Sequence, residues 1–475
     1  MRITFTSPIH AVTYARAVTS GNIAQLVRYN TDVSQGTFAL HEGDGLAPSR
    51  RLRRPVKLAA RGCKGRVAVS ITAGDYPELH LRPGREYPLL QAGHPWIFSG
   101  AFASLPKDMP SGAIVDILGS TGAWIARGHL NAQNSLAFRL LTKDRHELID
   151  EDFYFRRIEQ ALQLRGLFSE QVNAYRLVHA EADFLPGLIV DRYDRWLVTQ
   201  FHTAGVERQR REITNALVRA VGPDGILARD DISARRREGL PDSGGASLIF
   251  GDVPQTIEIG EGRVRYWVDP WRGQKTGFFL DQREKRACME ELAQHAASLL
   301  NCFSYSGGFA LAGLATNPGL RTINIDTSAA ALELARRNYQ LNGHASQDNG
   351  QHEFIAGDVN RYLEEAALAG KSFDIVILDP PAYAKSLPMK QRALRAYEAL
   401  NTRGIRVLSQ GGLLLTCSCS GAVDQAEFEA VVQQALRVAR RPAQILASFG
   451  PSLDHPTLPG FSPDRYLKVL LLRVN

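Results

Sequence analysis

A run of six residues of near-continuous apolar character in this chain stops abruptly at an acid that is followed by two prolines. Phe373 to Leu378 fit a strand that is buried on both faces, and Asp379 follows it directly. Pro380 and Pro381 end the strand because proline cannot continue a hydrogen-bonded ladder. Asp379 is therefore expected at the carboxyl end of a central strand, where open α/β sheets bind their ligands. Its carboxylate and the flat ring of Tyr383 suit a nucleobase, although an ordinary strand-ending turn is the alternative.

A glycine turn between a strand and a helix precedes this run. Asn301 to Phe309 contain Ser-Gly-Gly, where a ligand can approach the backbone and the free N–H groups of a helix N-terminus. The turn does not match the dinucleotide motif G-x-G-x-x-G. Asp326 ends the next strand, as needed to hold ribose hydroxyls, and Asp358 ends the strand after it. Each acid alone could cap a helix, but acids after three successive strands, Asp379 included, are more specific together.

Two cysteines lie at the end of the fifth strand of the series. Cys417 and Cys419 point the same way because alternate residues of an extended chain share a side. A thiolate at a carboxyl strand end, beside Asp379, can act as a nucleophile. A buried cysteine is more often a small core residue, and this alternative suits Cys417 better because it lies deeper in the strand.

The elements that must position these residues form several predicted units. Residues 269–475 alternate helices and strands, which predicts an α/β, doubly wound sheet that is closed by an antiparallel pair. Short strands in residues 75–147 predict a small β-barrel, and residues 148–268 predict a central α+β domain. The periodicity predicts single helices over 206–221 and 282–299.

Basic residues are concentrated at the start of the chain. Residues 1–74 hold eleven Lys and Arg and three Asp and Glu, a net of +8, whereas the whole chain has +7, so residues 75–475 carry −1. This composition resembles an organellar transit peptide. The favoured alternative is a basic extension that is disordered or weakly folded and that is not required for catalysis.

The composition also indicates where the protein is located and whether it binds a metal. No run approaches the ~18 apolar residues of a membrane helix, so no membrane partner is expected. The five cysteines lack C-x-x-C spacing, which argues against a disulfide scaffold or structural zinc and fits a reducing cytoplasm. We predict no metal and a cytoplasmic location, or an organellar one if residues 1–74 form a transit peptide. The oligomeric state stays open, with a homodimer as one option.

Residues from about 78 to 475 resemble the PUA-containing class I S-adenosylmethionine-dependent methyltransferases that form 5-methylcytosine in large-subunit ribosomal RNA. The motifs that carry the resemblance are Gly273 to Arg283, Phe303 to Phe309, Asp326, Gly357-Asp358, Asp379-Pro380-Pro381 and Ser418-Cys419-Ser420. Segments 81–86, 94–100 and 128–131 resemble a PUA domain, a small RNA-binding barrel, although His94 and Trp96 could simply pack the barrel. The family usually has Asp at the position of Asn301, a departure that would loosen one cofactor contact.

The resemblance implies a Rossmann-like fold, S-adenosylmethionine as cofactor, and large-subunit ribosomal RNA or its precursor as partner. It assigns cofactor binding to Phe279, Asp281, Gln282, Arg283, Phe303, Tyr305, Gly307, Asp326, Asp358 and Asp379. It assigns substrate binding to Pro380, Pro381, Tyr383 and Lys385. Cys419 would add to C6 of cytosine as the catalytic nucleophile, and Asp379 would hold the pyrimidine edge.

Two other functions stay open. The loop that begins at Asp379 also resembles the Asp-Pro-Pro-Tyr loop of amino-group methyltransferases that act on adenine or guanine. Those enzymes need no cysteine, so Cys419 discriminates between the two reactions. A non-catalytic RNA-binding or ribosome-assembly protein is disfavoured by the acids at three strand ends, and a cofactor-binding assay separates it.

Overall fold

The computed structural model describes residues 76–475 except 87–88, 90–92, 169–171, 242–243, 345–349, 385–386, 462 and 464. The predicted basic extension, residues 1–74, and the substrate-binding candidate Lys385 lie outside the described residues. Within the described ranges, no helix is both long and apolar enough to cross a membrane.

The first described sheet is built from the short strands that the sequence predicts. Its strands are β1 (Glu78–His80), β2 (Trp96–Phe98), β3 (Ala113–Leu118), β4 (Trp124–Leu130) and β5 (Leu136–Thr142), in the order β1-β3-β4-β5-β2. Its core contains Ile97, Val115 and Phe138. A Cβ at Gly128 would lie 2.1 Å from the carbonyl oxygen of Arg139, so the close contact of β4 with β5 requires glycine there.

A second sheet follows, with helices on its sides. The elements in chain order are α1 (Glu151–Gly166), β6 (Ala174–His179), β7 (Leu188–Tyr193), β8 (Trp196–Phe201), α2 (Ala204–Arg208), α3 (Arg210–Val221), β9 (Gly225–Arg229), α4 (Ala234–Arg237) and β10 (Ala246–Gly251). The strand order is β10-β9-β8-β7-β6, and a separate hairpin joins β11 (Ile257–Glu261) to β12 (Val264–Val268). The prediction of one helix over 206–221 is wrong, because Gln209 (φ −99°, ψ 16°) leaves the helical range and separates α2 from α3.

The third sheet has the doubly wound topology that the βα alternation predicts. Its elements are α5 (Arg283–Leu292), β13 (Ser298–Cys302), α6 (Gly308–Leu314), β14 (Arg321–Asp326), α7 (Ala329–Leu341), β15 (His352–Ala356), α8 (Val359–Leu368), β16 (Phe373–Leu378), α9 (Lys390–Arg406), β17 (Leu408–Ser418), α10 (Gln425–Ala439), β18 (Ala443–Phe449) and β19 (Lys468–Val474). The order is β15-β14-β13-β16-β17-β19-β18, parallel from β15 to β17, with β19 antiparallel to both neighbours.

Helix α5 ends seven residues earlier than predicted, at Leu292 instead of 299. The Asn317 side-chain amide donates to the carbonyl oxygens of Ala293 and Ala296, which holds a turn after the helix. Asp374 then accepts the N–H groups of Ala297 and Ser298 and fixes the start of β13. These partners lie far along the chain, so local periodicity could not place the boundary.

Strand β16 is the centre of the third sheet and carries the acid-and-proline motif at its end. Ile375 and Ile377 belong to one hydrophobic core, and Val376 and Leu378 belong to the core on the opposite face. This arrangement confirms the prediction of a strand that is buried on both faces. The carboxyl ends of β13, β14, β16 and β17 consequently lie at one edge of the sheet. The division into domains at residues 75–147, 148–268 and 269–475 stays a prediction.

Candidate active site

The Asp-Pro-Pro loop and the Ser-Cys-Ser segment meet at the ends of neighbouring parallel strands. Leu378 of β16 is the register partner of Thr416 of β17, so Asp379 and Cys417 both lie one residue further on. The Cys419 thiol donates a hydrogen bond of 3.7 Å to the carbonyl oxygen of Pro380. Two motifs that are distant in sequence are therefore in direct contact.

The two cysteines have different surroundings. Cys417 is completely buried in the core, and burial raises the pKa of its thiol well above the ordinary range. Cys419 is partly exposed, and burial together with the charge of Asp379 raises its pKa to about 11. The ammonium groups of Lys275 and Lys468 act in the opposite direction on that thiol. Of the two, Cys419 is the thiol that a ligand can reach.

Asp379 has an environment that favours its protonated form. Burial, followed by the negative charge of Asp281, raises the pKa of this carboxyl to about 6, while Lys275 opposes the rise. The amide nitrogen Nε2 of Gln282 donates to Asp379 Oδ2 at 3.1 Å. A carboxyl group with this pKa can donate or accept a hydrogen bond near neutral pH.

Asp281 is the charged anchor of the Gly273 to Arg283 motif. Its Oδ2 accepts from Lys275 Nζ at 2.7 Å and from the Tyr466 hydroxyl at 2.6 Å. Burial would raise its pKa, but Lys275, His455 and the hydrogen bonds from Lys275 and Tyr466 outweigh that cost and hold the pKa well below its usual range. The carboxylate therefore keeps its charge.

The glycine turn lies beside this motif and is tied to the acid at the end of β14. Asp326 accepts the Tyr305 N–H through Oδ2 at 3.0 Å and the Ser328 N–H through Oδ1 at 2.8 Å. The Tyr305 hydroxyl donates to the carbonyl oxygen of Gly277 at 2.9 Å. Gly307 has φ +78°, and a Cβ there would lie 3.2 Å from the ring of Tyr339, so this position needs glycine.

Buried acceptor atoms at this edge of the sheet have no protein partner. Within the described residues, no hydrogen bond reaches Asp281 Oδ1, Gln282 Oε1, Ser304 Oγ or Thr416 Oγ1. Buried polar atoms are normally hydrogen-bonded, so unpaired ones call for a ligand or water. Three of the four, those of Asp281, Gln282 and Ser304, belong to the quoted motifs, which fits a site for a polar ligand.

Other predicted site residues are held differently. Asp358 is exposed, and its Oδ1 caps α8 by accepting the Arg361 N–H at 2.9 Å. The Arg283 guanidinium is already engaged by Asp454 at 2.9 Å and by the carbonyl oxygen of Ala174 at 2.8 Å. These contacts agree with the structural alternative for Asp358 and give Arg283 a clear role in packing.

Two of the aromatic candidates, Phe279 and Phe303, lie at the glycine turn, whereas Tyr383 packs against another tyrosine. Phe279 contacts Tyr305 edge to face with ring centroids 5.2 Å apart, beside the glycine turn. Phe303, also in that turn, is partly buried, and it has φ +59°. Tyr383 follows Pro380 and the exposed Pro381 and packs at 4.8 Å against Tyr397. Burial raises the pKa of Tyr383 to about 12, so its hydroxyl stays protonated.

Sequence reasoning missed three polar residues near the cysteine and the acids. Lys275 lies inside the Gly273 to Arg283 motif, but the resemblance assigned it no role. Tyr466 and Lys468 reach the site from the last strand region, where no motif marks them. Trp96 of the first sheet donates through its indole N–H to Glu181 at 2.8 Å, as expected for a packing residue.

Comparison with known proteins covers almost all of the described chain. A family model for S-adenosylmethionine-dependent methyltransferases matches residues 197–473, and a PUA-like domain model matches residues 79–143. Proteins named ribosomal RNA large subunit methyltransferase I, from Yersinia pestis and Yersinia pseudotuberculosis, are 37% identical over 399 residues, which cover 83% of this chain and 99% of each relative.

Solved structures agree with the fold. A Streptococcus mutans protein described as a SAM-dependent methyltransferase has a TM-score of 0.70 and 21% identity, and covers 84% of this chain and 100% of its own. A second methyltransferase, complexed with SAH, has a TM-score of 0.71 with the same identity and coverage. The predicted fold class, cofactor and type of enzyme are confirmed. The chain belongs to the S-adenosylmethionine-dependent methyltransferase family and carries a PUA-like domain.

Proposed function

We propose that this methyltransferase forms 5-methylcytosine in ribosomal RNA of the large subunit. The observation that carries the proposal is the contact of the Cys419 thiol with the carbonyl oxygen of Pro380, at 3.7 Å. It brings a nucleophile beside the acid of the Asp-Pro-Pro loop, which amino-group methylation would not require. The relatives are named for large-subunit ribosomal RNA, which supports the substrate class.

The residues present fit S-adenosylmethionine, which when bound supplies a methyl group on a positively charged sulfur. Asp326, at the end of β14, would accept the ribose hydroxyls. The unpaired Oδ1 of the charged Asp281 would accept the amino group, and Gln282 Oε1 offers a further acceptor. The N–H groups of Gly307 and Tyr305 already donate to the Ser304 carbonyl oxygen and to Asp326, so the cofactor contact assigned to Gly307 stays a prediction. Cofactor binding by the other assigned residues stays a prediction: Phe279, Arg283, Phe303, Tyr305, Asp358 and Asp379.

Cys419 would activate the base by covalent addition. Cytosine C5 is a poor nucleophile, but a bond from the thiolate to C6 moves the C5–C6 π electrons onto C5, which can then take the methyl group. Loss of the C5 proton re-forms the double bond and expels the thiolate. The methyl–sulfonium bond would break as the methyl–C5 bond forms, leaving S-adenosylhomocysteine, and a solvent water would take the C5 proton. The cysteine is regenerated as the C6–sulfur bond breaks.

Asp379 and the loop after it would hold the base during this cycle. With a pKa of about 6, the carboxyl can accept from the amino group or donate to the ring nitrogen of cytosine. The base would lie against Pro380, Pro381 and Tyr383, with Tyr383 stacking on it. Lys385 stays a candidate for RNA contact. The target base has to be single-stranded or flipped out of a helix to enter. A cytoplasmic location and a homodimer stay predictions.

The two cysteines provide a matched pair of variants for the test. Cys417→Ala should retain methyl transfer, with a modest loss of stability from core packing. Cys419→Ala should lose turnover but still bind S-adenosylhomocysteine. With RNA that contains 5-fluorocytosine, fluorine blocks the final proton loss, so Cys417→Ala should accumulate a covalent adduct and Cys419→Ala none.

Mass spectrometry of RNA nucleosides identifies the product in the same experiment. An active Cys419→Ala enzyme that yields a methylated exocyclic amine would replace the cytosine mechanism with amino-group methylation. A dead Cys417→Ala enzyme that still folds would shift the nucleophile to Cys417 and leave the reaction class unchanged.

A further inference from the structure

A buried lysine lies at the start of β19, next to the cysteine strand. Lys468 is 3% exposed, and its register partner in antiparallel β17 is Ser418, the residue before Cys419. Lysine is almost never fully buried unless it is paired, because removing a cation from water is costly. The position of Lys468 therefore needs a reason.

The Lys468 ammonium is held by backbone carbonyls. Its Nζ donates to the carbonyl oxygens of Ser420 and Tyr466, each at 2.7 Å. In the part of the chain that the structure describes, it forms no salt bridge with a carboxylate within 4.0 Å. Two neutral acceptors hold the cation in place without cancelling its charge.

Ser420, the first of these acceptors, fixes the segment that carries Cys419. Its hydroxyl oxygen accepts the Ala384 N–H at 3.0 Å, which connects it to the loop that follows Asp379. The Tyr397 hydroxyl lies 2.9 Å from the same oxygen. With Lys468 on its carbonyl, Ser420 is held on both its side chain and its backbone, and the neighbouring Cys419 is held with it.

Four charged groups act most strongly on Cys419. The carboxylates of Asp379 and Asp281 raise the pKa of the thiol, while Lys275 and Lys468 lower it. Lys275 is paired with Asp281 at 2.7 Å, so the charges of that pair largely cancel. Lys468 is the cation in this set whose charge is not neutralised by direct contact.

The state of Lys468 allows this role near neutral pH. Burial lowers its pKa to about 8, while the Cys419 thiolate and the carboxylates of Asp424 and Glu427 oppose the fall. Below about pH 8 the amine therefore carries a proton. Glu427 is also paired with Lys390, so its attraction is shared.

We propose that Lys468 is a positioning residue for the Cys419 nucleophile: it holds the Ser420 carbonyl and stabilises the thiolate through an unneutralised positive charge. This proposal rests on the proposed function, in which Cys419 adds to the base. Lys468 itself touches neither substrate nor cofactor in this role.

The test measures alkylation of Cys419 by iodoacetamide as a function of pH, with peptide mass spectrometry of that residue. This readout needs neither RNA nor cofactor. Lys468→Gln keeps a donor but removes the charge, so alkylation at pH 7, where the wild-type lysine is protonated, should slow about tenfold. Lys371→Gln, at an exposed lysine, is the control and should match the wild type. Methyl transfer by Lys468→Gln at pH 7 should slow in parallel with alkylation.

Lys468→Arg keeps the positive charge, so its alkylation rate at pH 7 should equal the wild-type rate or exceed it. This variant decides the matter if Lys468→Gln fails to fold, as judged by thermal unfolding and S-adenosylhomocysteine binding. A folded Lys468→Gln protein with the wild-type alkylation rate at pH 7 would overturn the proposal, as would a Lys468→Arg protein whose rate is lowered about tenfold. Methyl transfer by Cys419→Ala would instead overturn the proposed function, whatever the alkylation profiles show.

Discussion

Replacing Asp326 by alanine should weaken the binding of S-adenosylhomocysteine about tenfold to a hundredfold. Asp326 is 9% exposed at the end of β14, where it would accept hydrogen bonds from both ribose hydroxyls. Hydrogen bonds to a charged group contribute about 1.5–3 kcal/mol, and ~1.4 kcal/mol corresponds to a tenfold change in affinity. The expected loss of affinity is thus about tenfold to a hundredfold.

The structure adds a second consequence of this substitution. The Asp326 carboxylate also accepts the N–H groups of Tyr305 and Ser328, at 3.0 and 2.8 Å. Leaving a buried N–H without a partner costs about 1–3 kcal/mol, so Asp326→Ala should also lower the melting temperature. Tyr305 has φ +45°, and the lost bond removes one of the contacts that hold this unfavourable conformation.

Asp326→Asn is the matched control, because it keeps the shape and one acceptor oxygen but removes the charge. Its affinity should lie between those of the wild type and Asp326→Ala, with a smaller change in melting temperature. Isothermal titration calorimetry gives the affinities, and a thermal unfolding scan identifies any loss through misfolding. A folded Asp326→Ala protein with wild-type affinity would refute the assignment of Asp326 to the ribose.

Two further predictions concern Asp379 and the basic extension. Because the pKa of Asp379 is raised to about 6 in the folded protein, its contribution to stability is fully present below about pH 4 and is lost as the pH rises through 6. In Asp379→Asn, the free energy of unfolding measured with urea should no longer fall for this reason between pH 4 and 7, a difference from the wild type of up to about 3 kcal/mol. An equal pH dependence in the two proteins would contradict this prediction. Deleting residues 1–74 should leave methyl transfer intact, because each motif of the site lies beyond them, but should flatten the salt dependence of RNA binding; an inactive truncated protein would contradict this.

Part of the site could be predicted because each signal is local. The apolar run before Asp379 and the prolines after it determine both the strand and its end, whatever the rest of the chain does. The acid at the end of β14 and the glycine turn before it could be placed in the same way, since a βα unit puts both at the carboxyl edge of a parallel sheet. The order of Cys417 and Cys419 along β17 separated the buried cysteine from the accessible one.

Only the tertiary structure decided which charged groups surround the nucleophile. Lys468 and Tyr466 come from the antiparallel strand β19 and the segment before it, and they reach the site because packing of the sheet sets the register of β19 against β17. No pattern near either residue encodes that register, and the early end of α5 likewise depends on Asn317 and Asp374. The sequence by itself determined the strand-end motifs, since local backbone chemistry is enough to place them. The pairing of their charges follows from long-range packing, because a Coulomb interaction depends on distance in space and not on separation along the chain.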